Sequence, residues 1–269
     1  YAVNASGTAV GFAQKFSGDT SLGDRALRWD ASTAAATELG NIGASGTGVT
    51  NTYAYAVNAS GTTVGVSDKY SGNTSLGTRA VRWDASGTAA TELGTLGTNN
   101  AGVTNNYAYA LNADGTAVGK ASIYSGNALI GTRAVAWGLD GVAIDLNTVL
   151  NPADASHWTL TEARDISDTG WVTGIGMFDP DGPGGQAPYT RAFLLQLPLT
   201  PCRTADFDGN SAVDVADLFA FLDVWFAQFG GPPPAPPAAG ADIDGDNLVT
   251  VSDLFMYLDL WFEYFNSAC

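Results

Sequence analysis

"YAVNASGTAVGFAQKFSGDTSLGDRALRWDAS", residues 1–32, decides the fold because the chain says it again. "YAVNASGTTVGVSDKYSGNTSLGTRAVRWDAS" covers 55–86, and "YALNADGTAVGKASIYSGNALIGTRAVAWGLD" covers 109–140. The copies start 54 residues apart. A weaker fourth copy, "RDISDTGWVTGIGMF…YTRAFLLQL", opens at Arg164. A period of this length points to blades or a solenoid, not to helical heptads.

Each copy predicts four short strands. "YAVN" is short and apolar, and the turn "NASG" or "NADG" follows. Gly7, Gly61 and Gly115 supply the positive φ that a tight turn needs. "TAVGFAQ" then alternates with period two, and the loop "SGDTSLGD" leads into "RALRWDA". "ATELG" closes the unit. Four strands joined by Gly-rich turns predict a mainly β repeat domain, β-propeller-like, over residues 1–198. Trp29, Trp83 and Trp137 recur at one strand position, where packing between units is expected. Arg25, Arg79, Arg133 and Arg191 recur too. Bridging neighbouring units through carbonyls or carboxylates is expected of them, rather than a shared anion site. "NAS" at Asn4 and Asn58 and "NTS" at Asn73 fit a glycosylation acceptor, and turn chemistry explains the first two equally well.

The fourth copy lacks its last strand. It stops at "RAFLLQLP", and Pro198 and Pro201 follow, which cannot donate to a ladder. An unpaired edge invites pairing. The expectation is that residues outside this repeat fill the slot beside 191–197, from upstream sequence of a longer precursor or from a neighbouring copy. A bare edge in a monomer contradicts that. Tyr1 falls inside a repeat, so the chain reads as the C-terminal piece of something longer.

The remaining residues, 199–269, have a different composition. No lysine or arginine follows Arg203. "DFDGNSAVDVAD", 206–217, places Asp206, Asp208, Asn210, Asp214 and Asp217 at positions 1, 3, 5, 9 and 12 of a window, with Ala212 at 7. "DIDGDNLVTVSD", 242–253, repeats it with Asp242, Asp244, Asp246, Leu248, Thr250 and Asp253. A hard cation such as Ca²⁺ takes six to eight oxygens, and carboxylates at 1, 3, 5 and 12 with the position-7 carbonyl supply them. Two Ca²⁺ ions are therefore expected. Position 12 is aspartate, where an EF-hand has glutamate, and position 6 is Ser211 or Asn247 where glycine is usual. Each loop precedes a helix. Leu218, Leu222, Trp225, Phe226 and Phe229, with Leu254, Leu258, Trp261, Phe262 and Phe265, form stripes expected to build the core. Phe219, Phe221, Phe255 and Tyr257 are left for a contact surface. Cys202 and Cys269 bracket the segment, which predicts a disulfide and an oxidising, extracellular setting.

Composition excludes some partners. At 269 residues the chain can form one large and one small domain. Only 14% of residues are charged, yet the net charge is −16. This argues against nucleic acid and anionic membranes, which need basic patches. No apolar run reaches membrane-spanning length.

Two resemblances follow from these motifs. "AVNASGTAVG", "RALRW" and "TELG" make residues 1–198 similar to the HAF family of extracellular repeats, with arginine at the family's usual histidine. That resemblance implies a secreted, propeller-like domain and assigns no chemistry. Cys202 to Cys269 resembles a dockerin of the cysteine-bracketed type found in planctomycetes. It implies a small α-helical domain with two calcium loops that plugs into a cohesin-like protein. The tenth and eleventh loop positions, where dockerins read their partner, are Val215 and Ala216, and Val251 and Ser252. With Phe219 and Phe255 they form the expected partner-binding set. The linker "GGPPPAPPAAG" predicts a semi-rigid spacer.

Three functional classes remain. The expected one is a non-catalytic extracellular or cell-surface protein, not an enzyme, whose dockerin-like domain mediates calcium-dependent protein–protein interaction. A self-assembling surface layer or filament, pairing with further copies of itself, is the close alternative. A carbohydrate-binding or carbohydrate-active propeller is the third, with Asp179 and Asp181 in "DPDGPGG" its best acids.

Overall fold

The computed structural model describes residues 1–31, 35–182, 185–197, 205–208, 212–231, 240–243 and 248–265. The chain divides into two compact units, Tyr1–Leu197 and Pro198–Cys269.

The first unit is mainly β. It holds four antiparallel sheets, each a meander with its strands in chain order. β1 (Ala2–Val3), β2 (Ala9–Ser17), β3 (Thr20–Trp29) and β4 (Ala36–Glu38) form the first. β5 (Thr52–Val57), β6 (Thr63–Ser71), β7 (Thr74–Trp83) and β8 (Ala90–Glu92) form the second. The third contains β9 (Asn106–Leu111), β10 (Ala117–Ser125), β11 (Ala128–Trp137) and β12 (Ala143–Asp145). A short helix, α1 (Pro152–Ala155), precedes the fourth: β13 (Trp158–Ile166), β14 (Trp171–Phe178) and β15 (Tyr189–Gln196). Among the described residues no strand pairs across from one sheet to another, and no barrel closes.

One local expectation needs correction. "SGDTSLGD" is no loop. Ser17 pairs with Thr20, and only two residues turn between them, with Gly18 at φ 60°. A glycine in the left-handed region closes this turn tightly, so β2 and β3 run nearly its whole length. Glycine is needed for another reason at Gly65 and Gly119. The register shifts beside each, and an added Cβ would collide with the carbonyl of Tyr53 or Tyr107. Strand and bulge meet there with no room for a side chain.

Many of the repeated residues join one sheet to the next, though Arg133 donates to Thr132 O in its own strand and Arg191 lies over Phe178 of its own sheet. Trp83 is fully buried among Val10, Ala26, Leu39, Ala54 and Val81, and Trp137 is fully buried among Val64, Ala80, Leu93 and Ala108. Their indole N–H groups donate to Gly40 O at 2.9 Å and Gly94 O at 2.8 Å, each in the segment that closes the preceding repeat. Arg25 donates to the carbonyls of Thr50 and, at 3.2 Å, Gly48. Arg79 does the same to Thr104 at 2.6 Å and Gly102 at 3.0 Å. Asn4 Nδ2 donates to Asn58 O at 2.8 Å, and Asn58 Nδ2 to Asn112 O at 3.2 Å. The 54-residue period is thus written into side-chain bonds. Buried carbonyls at strand ends cost free energy unless paired, and these side chains pair them.

β15 pairs with β14 alone among the described residues, where the other three sheets each add a three-residue fourth strand. The expected occupant, upstream sequence of a longer precursor or a neighbouring copy, lies outside this single chain.

The second unit is built on α2 (Val215–Gln228) and α3 (Val251–Tyr264). Phe221 and Tyr257 stack at its centre, ring centroids 3.9 Å apart and nearly parallel. Trp225, Trp261, Val213, Val249, Ala205 and Ala241 surround them. This corrects the helix faces in part: Leu218, Leu222, Trp225, Leu254 and Trp261 reach the core as expected. Phe221 and Tyr257 are fully buried, whereas Phe226, Phe229, Phe262 and Phe265 are exposed. The inner stripe is Asp217, Phe221, Trp225 and its counterpart Asp253, Tyr257, Trp261, spaced i, i+4, i+8. The last acid of each loop sets the phase, because it is itself buried in the first turn. Cys202, Cys269 and the proline-rich linker at 232–239 lie outside the described residues.

Candidate metal centre

The first acidic loop brings carboxylates together. Ligand oxygens of Asp206, Asp208 and Asp217 lie within 4.8 Å of one another. Asp206 and Asp217 are buried and Asp208 is exposed, so the cluster opens to solvent on one side. Asp217 is fixed from both oxygens: Oδ1 accepts from Asp208 N at 3.0 Å and Oδ2 from Asp214 N at 2.8 Å.

Local sequence explains that placement. Asp214 is the N-cap of α2, and its carboxylate accepts from Ala216 N at 2.7 Å. Asp217 is the third helical residue and reaches back to the cap's own N–H, completing a capping box. Such boxes usually use glutamate or glutamine. Aspartate here is short enough to close the box while keeping its head in the loop. The second loop repeats the arrangement with Thr250 as N-cap. Asp253 Oδ2 accepts from Thr250 N at 2.7 Å, and Asp253 Oδ1 from Ile243 N at 2.7 Å. Position 9 of each loop, Asp214 or Thr250, therefore caps a helix.

The two loops are tied crosswise. Trp225 Nε1 on α2 donates to Thr250 O at 2.7 Å, and Trp261 Nε1 on α3 donates to Asp214 O at 2.7 Å. Each helix holds the other loop's cap carbonyl. Tyr257 Oη donates to Ala205 O at 2.9 Å, beside the first loop's start. Burial, followed by the charges of Asp217, Asp206 and Asp208, pushes its hydroxyl well above the usual tyrosine range.

The other expected site residues are placed as follows. Ala212 is half-buried and Leu248 is exposed. Asp242 is half-buried and Asp253 fully buried at the second loop. Asn210, Asp244 and Asp246 lie outside the described residues. Val215, Ala216, Phe219, Val251, Ser252 and Phe255 are all exposed. Phe226 and Phe262, two turns beyond Phe219 and Phe255, are exposed as well and extend each patch. They belong to the expected core stripe, and the correct phase would have found them. Asp181 accepts from Gln186 N at 3.0 Å through both oxygens, a turn within its own loop.

The repeat unit holds a feature that the heads of the copies spell out. Tyr1, Tyr55 and Tyr109 form a column, with centroids 5.5 and 6.0 Å apart. Arg164, at the head of the fourth copy, lies 5.5 Å over Tyr109. Tyr53 and Tyr107 stack alongside, and Tyr53 Oη donates to Asp24 at 2.7 Å. Among the described residues, no helix is long and apolar enough to cross a membrane. No family model matches this chain, and no curated protein matches it either.

Proposed function

We propose that this chain is a non-catalytic extracellular or cell-surface protein, in which a dockerin-like unit holding two Ca²⁺ ions docks a propeller-like repeat unit onto a protein partner. One observation carries this reading: Asp206, Asp208 and Asp217 converge at the start of a helix whose next turn exposes Phe219. The donors are all carboxylate oxygens, which suit a hard cation and not a soft one. Asp206, Asp208 and Asp217 would hold the first ion. Asp242 and Asp253 would serve the second, with Asp244 and Asp246. The bound ion supplies the positive charge that lets these acids share one loop. The chain's own residues transmit it. Asp217 and Asp253 belong both to a loop and to a helix start, so ordering the loop orders the helix. Trp225 and Trp261 carry that order across to the other loop. The exposed Val215–Phe219 and Val251–Phe255 patches are then presented in fixed positions to a partner.

The test is a Ca²⁺ titration of the chelator-stripped chain, followed by calorimetry and tryptophan fluorescence. Two ions are expected to bind, and Asp206→Ala is expected to remove one of them. No heat and no fluorescence change would overturn the proposal.

A further inference from the structure

We propose that the open edge of β15 accepts an extended acidic segment of another polypeptide, which adds to the fourth sheet as its missing strand. The other three sheets show what that strand does. Its acid meets the repeat's arginine: Arg25 Nε lies 3.5 Å from Glu38, Arg79 Nε 3.1 Å from Glu92, and Arg133 Nε 3.8 Å from Asp145. In each case the acid stands opposite the residue two places after the arginine: Leu27, Val81 or Val135. The backbone then continues the ladder. Leu39 N donates to Ala26 O at 2.8 Å, and Leu93 N to Ala80 O at 2.9 Å. The carbonyl after the arginine therefore faces the added strand, and alternation turns the residue two places later the same way.

The fourth sheet has the acceptor half of this arrangement and not the donor half. Arg191 takes the arginine's place, and Ala192, Phe193 and Leu194 follow as the pairing positions. No carboxylate pairs with Arg191 among the described residues. Its guanidinium lies instead 4.6 Å over the Phe178 ring and 6.0 Å over Trp158. Leu194 is 68% exposed on this edge. Residues 198–204, which follow directly, contain two prolines and no acid.

The occupant's chemistry comes from the resident strands. They read Ala36-Thr37-Glu38, Ala90-Thr91-Glu92 and Ala143-Ile144-Asp145: a small residue, a β-branched residue, then an acid. An extended segment of that pattern would hydrogen-bond along β15 and set its carboxylate on Arg191. In a second copy these strands are already bonded within their own sheets, so none of them is free to be the donor. This inference concerns the repeat unit and is independent of the calcium reading.

The experiment uses the full chain and a labelled peptide of sequence Ala-Thr-Glu-Leu-Gly, read by fluorescence anisotropy with and without chelator. Saturable binding that ignores the chelator is expected. A peptide with glutamine for glutamate should bind about tenfold more weakly, the scale of one charge-assisted contact. Arg191→Gln should show the same loss towards the acidic peptide and none towards the glutamine peptide. Leu194→Pro should abolish binding while leaving the fold intact by circular dichroism, since an edge strand tolerates proline where its N–H faces out. If that variant does not fold, the Arg191 comparison decides alone. Absence of binding, equal binding by Arg191→Gln, a dimer that the peptide dissociates, or residues 198–204 found paired on β15 would each overturn the proposal.

Discussion

Asp217 and Asp253 each close a capping box, and on the proposed reading each would also hold an ion; their variants separate the two roles. Asp206→Ala should remove only cation-linked stability, about 3–4 kcal/mol at 100 to 1,000 times the dissociation constant. Asp217→Ala should lose that and also the cap, about 1 kcal/mol that persists in chelator. Denaturant melts of both variants, with Ca²⁺ and with chelator, check this difference. Equal losses in chelator would show that the capping box contributes nothing. Tyr257 offers a second handle. Its hydroxyl ionises far above the free value, mainly through burial. Below about pH 10 neither folded nor unfolded chain loses this proton. Above it the unfolded chain releases the proton first, so stability should fall as pH rises further. Burial likewise pushes Tyr55 up to about 12, with Tyr1 and Tyr109 adding to the shift. Ultraviolet titration should find a group of tyrosines that ionise only as the chain unfolds. Free titration of every tyrosine near pH 10 would contradict the buried core and the partly buried Tyr55. At this scale the gathering of Asp206, Asp208 and Asp217 was legible, because acids recur at fixed positions in the loop. The cap role of Asp214 and Thr250 was not, because it depends on where the helix starts.

At the scale of elements, the two helices give the clearest comparison. Phe221→Ala should destabilise the second unit by about 3–5 kcal/mol, since it empties the stack on Tyr257. Phe219→Ser should change stability by no more than about 0.5 kcal/mol, because that ring is 63% exposed. Thermal melts of the two variants test the corrected phase of α2. A small effect from both would restore the sequence-based faces, which left both rings on the surface. Those faces failed in part, at Phe221, Tyr257 and the exposed phenylalanines of the stripes, for a physical reason. α2 and α3 are apolar around more than half their circumference, so hydrophobic spacing alone fits two stripes. The buried acid at the third helical position breaks the tie, and a charged residue is a poor guide to a core when read from sequence. The strands were easier. Period-two alternation and recurring Gly-rich turns marked them in every copy. The hairpin tip at Gly18 was missed because polar turn residues look like a loop when the flanking strands are polar too. Trp83→Ala should cost the repeat unit about 3–5 kcal/mol, since it removes both the packing and the bond to Gly40.

The whole molecule divides into units held by different physics. The repeat unit rests on buried tryptophans and on Arg and Asn bonds from sheet to sheet. The second unit has a small core around one ring stack, beneath loops crowded with carboxylates and with no basic residue after Arg203. Repeat length and acid spacing made this division readable from sequence. Closure of the sheets was not, since nothing in a 54-residue period fixes how many copies meet. The same contrast makes one measurement decisive. Scanning calorimetry of the intact chain should show two transitions. Adding Ca²⁺ to chelator-treated protein should raise the transition of the second unit and leave that of the repeat unit where it was. Asp206→Ala should reduce the shift, and Asp206→Ala with Asp242→Ala should abolish it. A second transition that stays in place from excess chelator to saturating Ca²⁺ would contradict the calcium-dependent docking module.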